Sequence, residues 1–218
     1  TCSNADWSRP HREKLLGEQA GLLANCLHTY GITRRAAYAR MAEEIIDYLD
    51  RRLYDPSNGT FYGCEDFLRN ETAASSGETE YLAFLDRCMY TDANAQAIVA
   101  YLEAASLLGK PSCQERGLEA LECLWEHCRS VEGGIYPYFD GTSHVPGLLN
   151  DQTRVGCALV LAHKATGQAK YLEWARELAE FILVRLKNPQ GGYYDLAVPG
   201  PAHLGVPLTL IQENGAAR

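Results

Sequence analysis

The chain repeats one unit three times: two helical stretches meeting at a small-residue corner, then an aromatic loop. Gly31, Gly109 and Gly167 each stand between two such stretches. Phe61-Tyr62, Ile135-Tyr136 and Tyr193-Tyr194 each follow a turn that holds Gly59, Gly133-Gly134 or Gly191-Gly192. A lone helical hairpin cannot cover its own apolar face, so a hairpin that recurs along a chain predicts stacked neighbours with one continuous core.

Apolar periodicity predicts helices over 11–30, 33–53, 91–108, 111–129, 151–166 and 169–187. Their character alternates. The stretches from Asn94 to Gly109 and from Gln152 to Gly167 are apolar almost all round, as a helix covered on two sides requires. Their partners, around Tyr38-Ile46 and Tyr171-Phe181, carry one apolar stripe and one charged face. Each unit therefore reads as inner helix, glycine corner, outer helix and a longer loop back. The expected fold is all-α, an αα-hairpin toroid, partial or shortened, with about three full hairpins of an (α/α)6 barrel. Residues 1–218 read as one such domain, a fragment of a longer chain, in which 69–89 is a mobile loop region built around the polar stretch Asn70–Glu80. The segment from Val206 to Gly215 reads as the lead-in to a fourth inner helix.

The formal net charge of -8, with no basic stripe, argues against nucleic acid and anionic membrane as partners, since both repel an acidic surface. No apolar run reaches the roughly 20 residues that span a bilayer. A cytoplasmic location is expected. The eight cysteines lie mostly in apolar helical stretches, where a reduced thiol packs as a small hydrophobe. Cys123 and Cys128 lack a second ligand pair, so no metal is expected. Neither a dinucleotide fingerprint nor a phosphate loop is present, and no cofactor is expected.

In an αα-toroid the inner-helix N-termini line one mouth of the central cavity. Acidic and amide residues recur at these places: His11 and Glu13 at the first, Asp92 and Asn94 at the second, Asp151 and Gln152 at the third, and Glu213 where a fourth begins. Asp66 follows the first aromatic loop. Two carboxylates across a cavity serve glycosyl transfer as acid and as base or nucleophile. A histidine beside a carboxylate can move a proton next to a sugar carbonyl. His11, Glu13, Asp66, Asp92 and Asp151 are thus the catalytic candidates. Trp7, Tyr62, Tyr90 and Tyr136 offer rings for sugar faces, with Asn94, Gln152 and Glu213 as polar contacts. The plainer reading makes Thr91, Asp92 and Asn150 ordinary helix caps and the tyrosines loop packing.

The segment Asp6-Trp-Ser-Arg-Pro-His-Arg-Glu-Lys-Leu-Leu-Gly-Glu-Gln-Ala20 resembles a Trp-x-x-Pro-His-Phe-Glu-Lys-Met-Leu-Tyr-Asp-Gln-Ala signature. That signature belongs to the thioredoxin-domain-containing family of spermatogenesis-associated protein 20 and the YyaL-like bacterial proteins. Asp55-Pro-Ser-Asn-Gly-Thr-Phe-Tyr and Val145-Pro-Gly-Leu-Leu-Asn-Asp151 are similar to further stretches of the same family. The resemblance implies a six-hairpin, glycosidase-like toroid and covers nearly the whole chain, without a thioredoxin sequence. Arg12 stands where the family has Phe, Gly17-Glu18 where it has Tyr-Asp, and a segment before Tyr90 is missing. Together these observations predict a carbohydrate-active domain, hydrolase-like or sugar 2-epimerase-like, with a neutral carbohydrate as partner. The alternative is a non-catalytic helical scaffold or binding module of a thioredoxin-family protein. Self-association through an exposed half-toroid face is a further expectation.

Overall fold

A computed structural model of the chain describes residues 6, 12–69, 81–141, 147–197 and 208–209. Within these, six α-helices form three hairpins: α1 (Leu16–Thr33) with α2 (Ala36–Arg52), α3 (Thr91–Leu108) with α4 (Pro111–Cys128), and α5 (Leu149–Thr166) with α6 (Ala169–Phe181). Inner helix α3 sits between α1 and α5 and against its own partner α4. It is wholly or almost wholly buried at Ala95, Ala97, Ile98, Ala100, Tyr101, Leu102 and Ala104, and its alanines let neighbouring helices approach closely. The outer helices bury one stripe each, such as Ala42, Ile46 and Leu49 on α2.

Contacts between hairpins are polar as well as apolar. The Tyr101 hydroxyl donates to Asp50 of α2 at 2.8 Å, and Arg116 of α4 pairs with the same carboxylate. Tyr171 and Lys170 of α6 both donate to Glu122 of α4 at 2.7 Å. Trp125 and Trp174 stack across α4 and α6 with ring centroids 4.7 Å apart.

Among the described residues seven short strands occupy one end of the array: β1 (Lys14–Leu15), β2 (Tyr54–Asp55), β3 (Thr60–Phe61), β4 (Cys64–Arg69), β5 (Tyr81–Asp86), β6 (Met89–Tyr90) and β7 (Tyr138–Phe139). They pair antiparallel as a three-stranded β1-β4-β5 sheet and as the pairs β2-β3 and β6-β7. The repeat is kept in register. Leu15 faces Cys64, Tyr90 faces Tyr138 and Leu148 faces Leu196, each pair joining the residue before an inner helix to the loop after its outer partner.

Several boundaries differ from the sequence reading. The first helix starts at Leu16 because Lys14 and Leu15 are drawn into the sheet with Glu65 and Cys64. The first corner is not Gly31, which lies inside α1, but Arg34, whose φ of 55° takes the left-handed turn that Gly109 (66°) and Gly167 (71°) take in the other hairpins. The last helix becomes a π-helical turn over Ile182–Leu186. The range 69–89, read as a loop, contains β5 paired along its length with β4, while residues 70–80 lie outside the described residues. Among the described residues no helix is long and apolar enough to cross a membrane.

Candidate functional site

The starts of the inner helices define the site, and they carry no side-chain caps. Loop carbonyls satisfy the first backbone N–H of each helix instead. Leu16 donates to Gly63, Thr91 to Pro137 and Leu149 to Asp195, each at 2.9 Å. Thr91 and Asn150, expected as caps, are thereby released for other bonds: the Thr91 hydroxyl donates to the Tyr136 carbonyl, and Asn150 bonds Asp92 and Arg154.

The fourth residue of an inner helix clamps the preceding hairpin. Asn94 Oδ1 accepts from the Phe61 N–H and the Thr60 hydroxyl, and its Nδ2 donates to the carbonyls of Phe61 and Tyr90, all at 3.0 Å. Gln152 does the same for the next loop. Its Oε1 accepts from the Ile135 N–H at 2.7 Å, and Nε2 donates to the Ile135 carbonyl at 2.9 Å. Both amides are fully buried. The substrate-binding role expected of Asn94 and Gln152 therefore does not fit their position; their hydrogen bonds are spent on the array.

Of the hollows near these clamps, one between α5 and α6 is lined by Gln152 and is largely apolar, and two others carry charged groups. One, of about 400 Å³, lies at the mouth and is lined by Gly17 and Glu18 of α1, Cys64, Asp86, Tyr90 and Asp92. Asp92 is held there by the Ala93 N–H at 2.8 Å and by the Asn150 amide at 3.3 Å. Burial and the Asp86 carboxylate, which accepts from its hydroxyl at 3.1 Å, push the Tyr90 phenol up to about 12. Burial, then the carboxylates of Asp86 and Asp66, raise the Cys64 thiol as well, which disfavours its thiolate. The second hollow, about 360 Å³, lies between the three inner helices, walled by Ala20, Gly21 and Ala24 of α1, Ala95 and Val99 of α3, and Cys157 of α5. Gln96, Thr153 and Arg154 are its polar residues, and the Thr153 hydroxyl donates to the Asn150 carbonyl at 3.0 Å. With its amide nitrogen turned toward the Gly17 carbonyl (3.2 Å), Gln96 presents its oxygen to both terminal nitrogens of Arg154, and Arg154 Nε donates to Asn150 Oδ1 at 2.9 Å. A chain of polar groups thus runs from Asp92 at the mouth through Asn150 and Arg154 to Gln96.

The predicted site residues separate. Asp92 and Tyr90 meet at the mouth, joined by Glu18 and Asp86, which sequence reasoning missed. Glu13 is exposed, and Asp66 lies on β4 with its carboxylate accepting from the Phe67 N–H. Asp151 is 3% exposed, is buried near Cys128 and does not line either of these hollows. Tyr136 is half-buried and offers its carbonyl to Thr91. Tyr62 lines a separate pocket with Asp55, Arg87 and His127. Glu65, beside Asp66, is structural: it is buried and accepts from Tyr48 at 2.8 Å and from Arg52. Trp7, His11 and Glu213 lie outside the described residues. Among the described residues no three or more His, Cys, Asp or Glu side chains gather as metal ligands. Arg154 and Gln96 could have been found as the sixth residues of their inner helices, each two positions after a clamping amide.

Inner and outer helices in alternation, with a cavity at the inner N-termini, define the chain as an all-α, αα-hairpin partial toroid of the (α/α)6 class. Solved structures of that class superpose on it. A D-mannose isomerase matches at 24% identity and a TM-score of 0.63, over 81% of this chain and 42% of its own. The cellobiose 2-epimerase from Spirochaeta thermophila matches at 18% and 0.66, over 80% and 44%. A glycoside hydrolase family 76 alpha-mannanase from Bacteroides thetaiotaomicron matches at 14% and 0.68, over 95% and 51%. The chain spans about half the length of these structures. No protein-family profile and no curated protein sequence matches it.

Proposed function

We propose that this chain is the site-bearing part of a carbohydrate-active toroid, with a glycosidase-like or sugar 2-epimerase-like site at the mouth of its cavity. The observation that carries the reading is the gathering of Glu18, Asp86, Asp92 and the Tyr90 phenol around one hollow at the inner-helix starts. Glycosyl transfer to water needs two carboxylates, one protonating the leaving oxygen and one activating water or attacking carbon. Asp92, fixed by two N–H donors, supplies one, and Glu18 or Asp86 the other. The solved structures of similar fold are named for sugar isomerisation, epimerisation and mannan hydrolysis, which supports the same substrate class. The resemblance of the N-terminal segment to the thioredoxin-domain-containing family supports membership in it, with His11 and Glu13 as further site groups.

Calorimetric titration with mono- and disaccharides, alongside turnover assays, tests this reading. Saturable binding that the Asp92→Asn substitution weakens at unchanged helical content supports it. No heat from any sugar at millimolar concentration overturns it.

A second reading, a non-catalytic scaffold or binding module, is favoured by Asn94 and Gln152, whose amides serve the array alone. In that reading α1 also marks a self-association face. Leu22 there is 47% exposed, three positions after Gln19, whereas Ala97 and Val155, likewise three after the clamping amides, are fully buried. Sedimentation of the chain and of Leu22→Glu distinguishes a dimer from a monomer.

A further inference from the structure

The arginines that pack between elements of this fold mostly meet carboxylates. Arg52 pairs with Glu65, Arg116 with Asp50, and Arg129 with Glu177. Arg154 is built differently. It projects from α5 into the hollow between the inner helices and is the charged residue of that lining. The oxygens that hold it belong to Asn150 and Gln96, which carry no charge. The carboxylate of Asp92 is one residue removed, reached through the Asn150 amide.

A guanidinium presents its two terminal nitrogens as a planar fork that fits a carboxylate with two parallel hydrogen bonds. In Arg154 that fork is closed by a single amide oxygen, Gln96 Oε1. The Gln96 side chain is only half-buried and is tied at its other end to a backbone carbonyl, that of Gly17. A carboxylate arriving in the hollow exchanges a neutral acceptor for an ionised one, a stronger partner for the same donors. The facing wall of Ala20, Gly21 and Ala24 carries no bulk, so a sugar ring has room between that wall and the guanidinium. Charge is also ordered along the hollows: cation within, carboxylates at the mouth. An acid group that enters the second hollow meets Arg154, while the carboxylates line the neighbouring hollow.

Building on the carbohydrate reading above, we infer that Arg154 is a specificity-determining residue for a sugar that bears a carboxylate, a hexuronic acid unit, with Gln96 holding the fork when the sugar is absent. The test is calorimetric titration of the chain with glucuronate, glucose and glucose 6-phosphate, repeated on Arg154→Met, Arg154→Lys and Gln96→Ala. Glucuronate should bind about tenfold or more tightly than glucose, and added salt should narrow the gap. Arg154→Met should bring the two sugars within about twofold, the size of effect left once the charge-assisted bonds are gone. Arg154→Lys, which keeps the charge but not the fork, should fall between, and Gln96→Ala should bind glucuronate at least as well as the parent. Glucose and glucuronate binding equally overturns the inference and leaves the carbohydrate reading intact. A preference for glucose 6-phosphate over glucuronate overturns the carboxylate assignment. Binding of none of the three overturns both readings.

Discussion

Replacing Asn94 by alanine isolates the device that joins one hairpin to the next. The side chain is fully buried and makes four hydrogen bonds of 3.0 Å. Alanine leaves the N–H and the C=O of Phe61, itself fully buried, without the partner they have. Each buried backbone group so orphaned costs about 1–3 kcal/mol, so the pair costs about 2–6. A central expectation of about 4 kcal/mol is a large share of the roughly 5–15 kcal/mol that holds a domain together. It corresponds to a fall in Tm of about 8–16 °C for a chain of this size. Urea unfolding followed by far-UV circular dichroism measures it. Gln19→Ala is the control: Gln19 holds the same fourth position on α1, but no hairpin precedes it among the described residues. A surface-type cost below about 0.5 kcal/mol is expected there. Asn94→Asp preserves shape but turns a carboxylate onto two carbonyls and should cost at least as much as alanine. If Asn94→Ala falls within about 1 kcal/mol of Gln19→Ala, the amide is no clamp, because even one orphaned buried group should exceed that margin.

Acid should loosen the fold through Glu65. Burial favours its neutral form, but the hydrogen bonds from Arg52 and Tyr48 win and hold its carboxyl below the usual range. The folded value being the lower one, its stabilisation is present above about pH 4.3, the ordinary glutamate value, and is lost as pH falls through the folded value. Glu65→Gln should flatten that part of a stability-against-pH curve. Gly134→Ala should cost about 2–4 kcal/mol by thermal unfolding, combining the left-handed penalty with overpacking. Its φ is 80°, and an added Cβ would stand 2.8 Å from the Phe181 ring. Gly109→Ala, at φ 66° with open space around it, should cost only about 1–2 kcal/mol. Exposed Cys157 should react readily with iodoacetamide in the native state. Cys113 and Cys128, pushed up to about 11 and about 12 by burial, should react only on unfolding.

The three hairpins were legible because each depends on apolar spacing within some twenty residues, which a sequence displays directly. Glycine marked two of the three corners. Arg34 hid the first, since a left-handed arginine is set by where α2 must begin and leaves no local sign. The β4-β5 pairing was hidden by its polar connection; neither strand alternates cleanly, and their register arises from each other and from β1. At the site, the recurrence of amides and acids at inner-helix starts was visible, but not which of them face inward. Asn94 and Asp92 are two residues apart, and the turn of the helix sends one into the core and the other to the mouth. Asp86 depended on β5 reaching the mouth, a long-range fact. Arg154 and Gln96 belonged to stretches whose apolar neighbours drew the reading toward packing alone.

The clamping amides also impose an order in time. The loop of each hairpin is completed by a residue encoded later, 33 positions downstream of Phe61 and 17 downstream of Ile135. A hairpin emerging from the ribosome therefore carries buried-type backbone groups that stay wet until the next inner helix has been made. Assembly of such an array is vectorial. Each unit becomes finished only when its successor arrives.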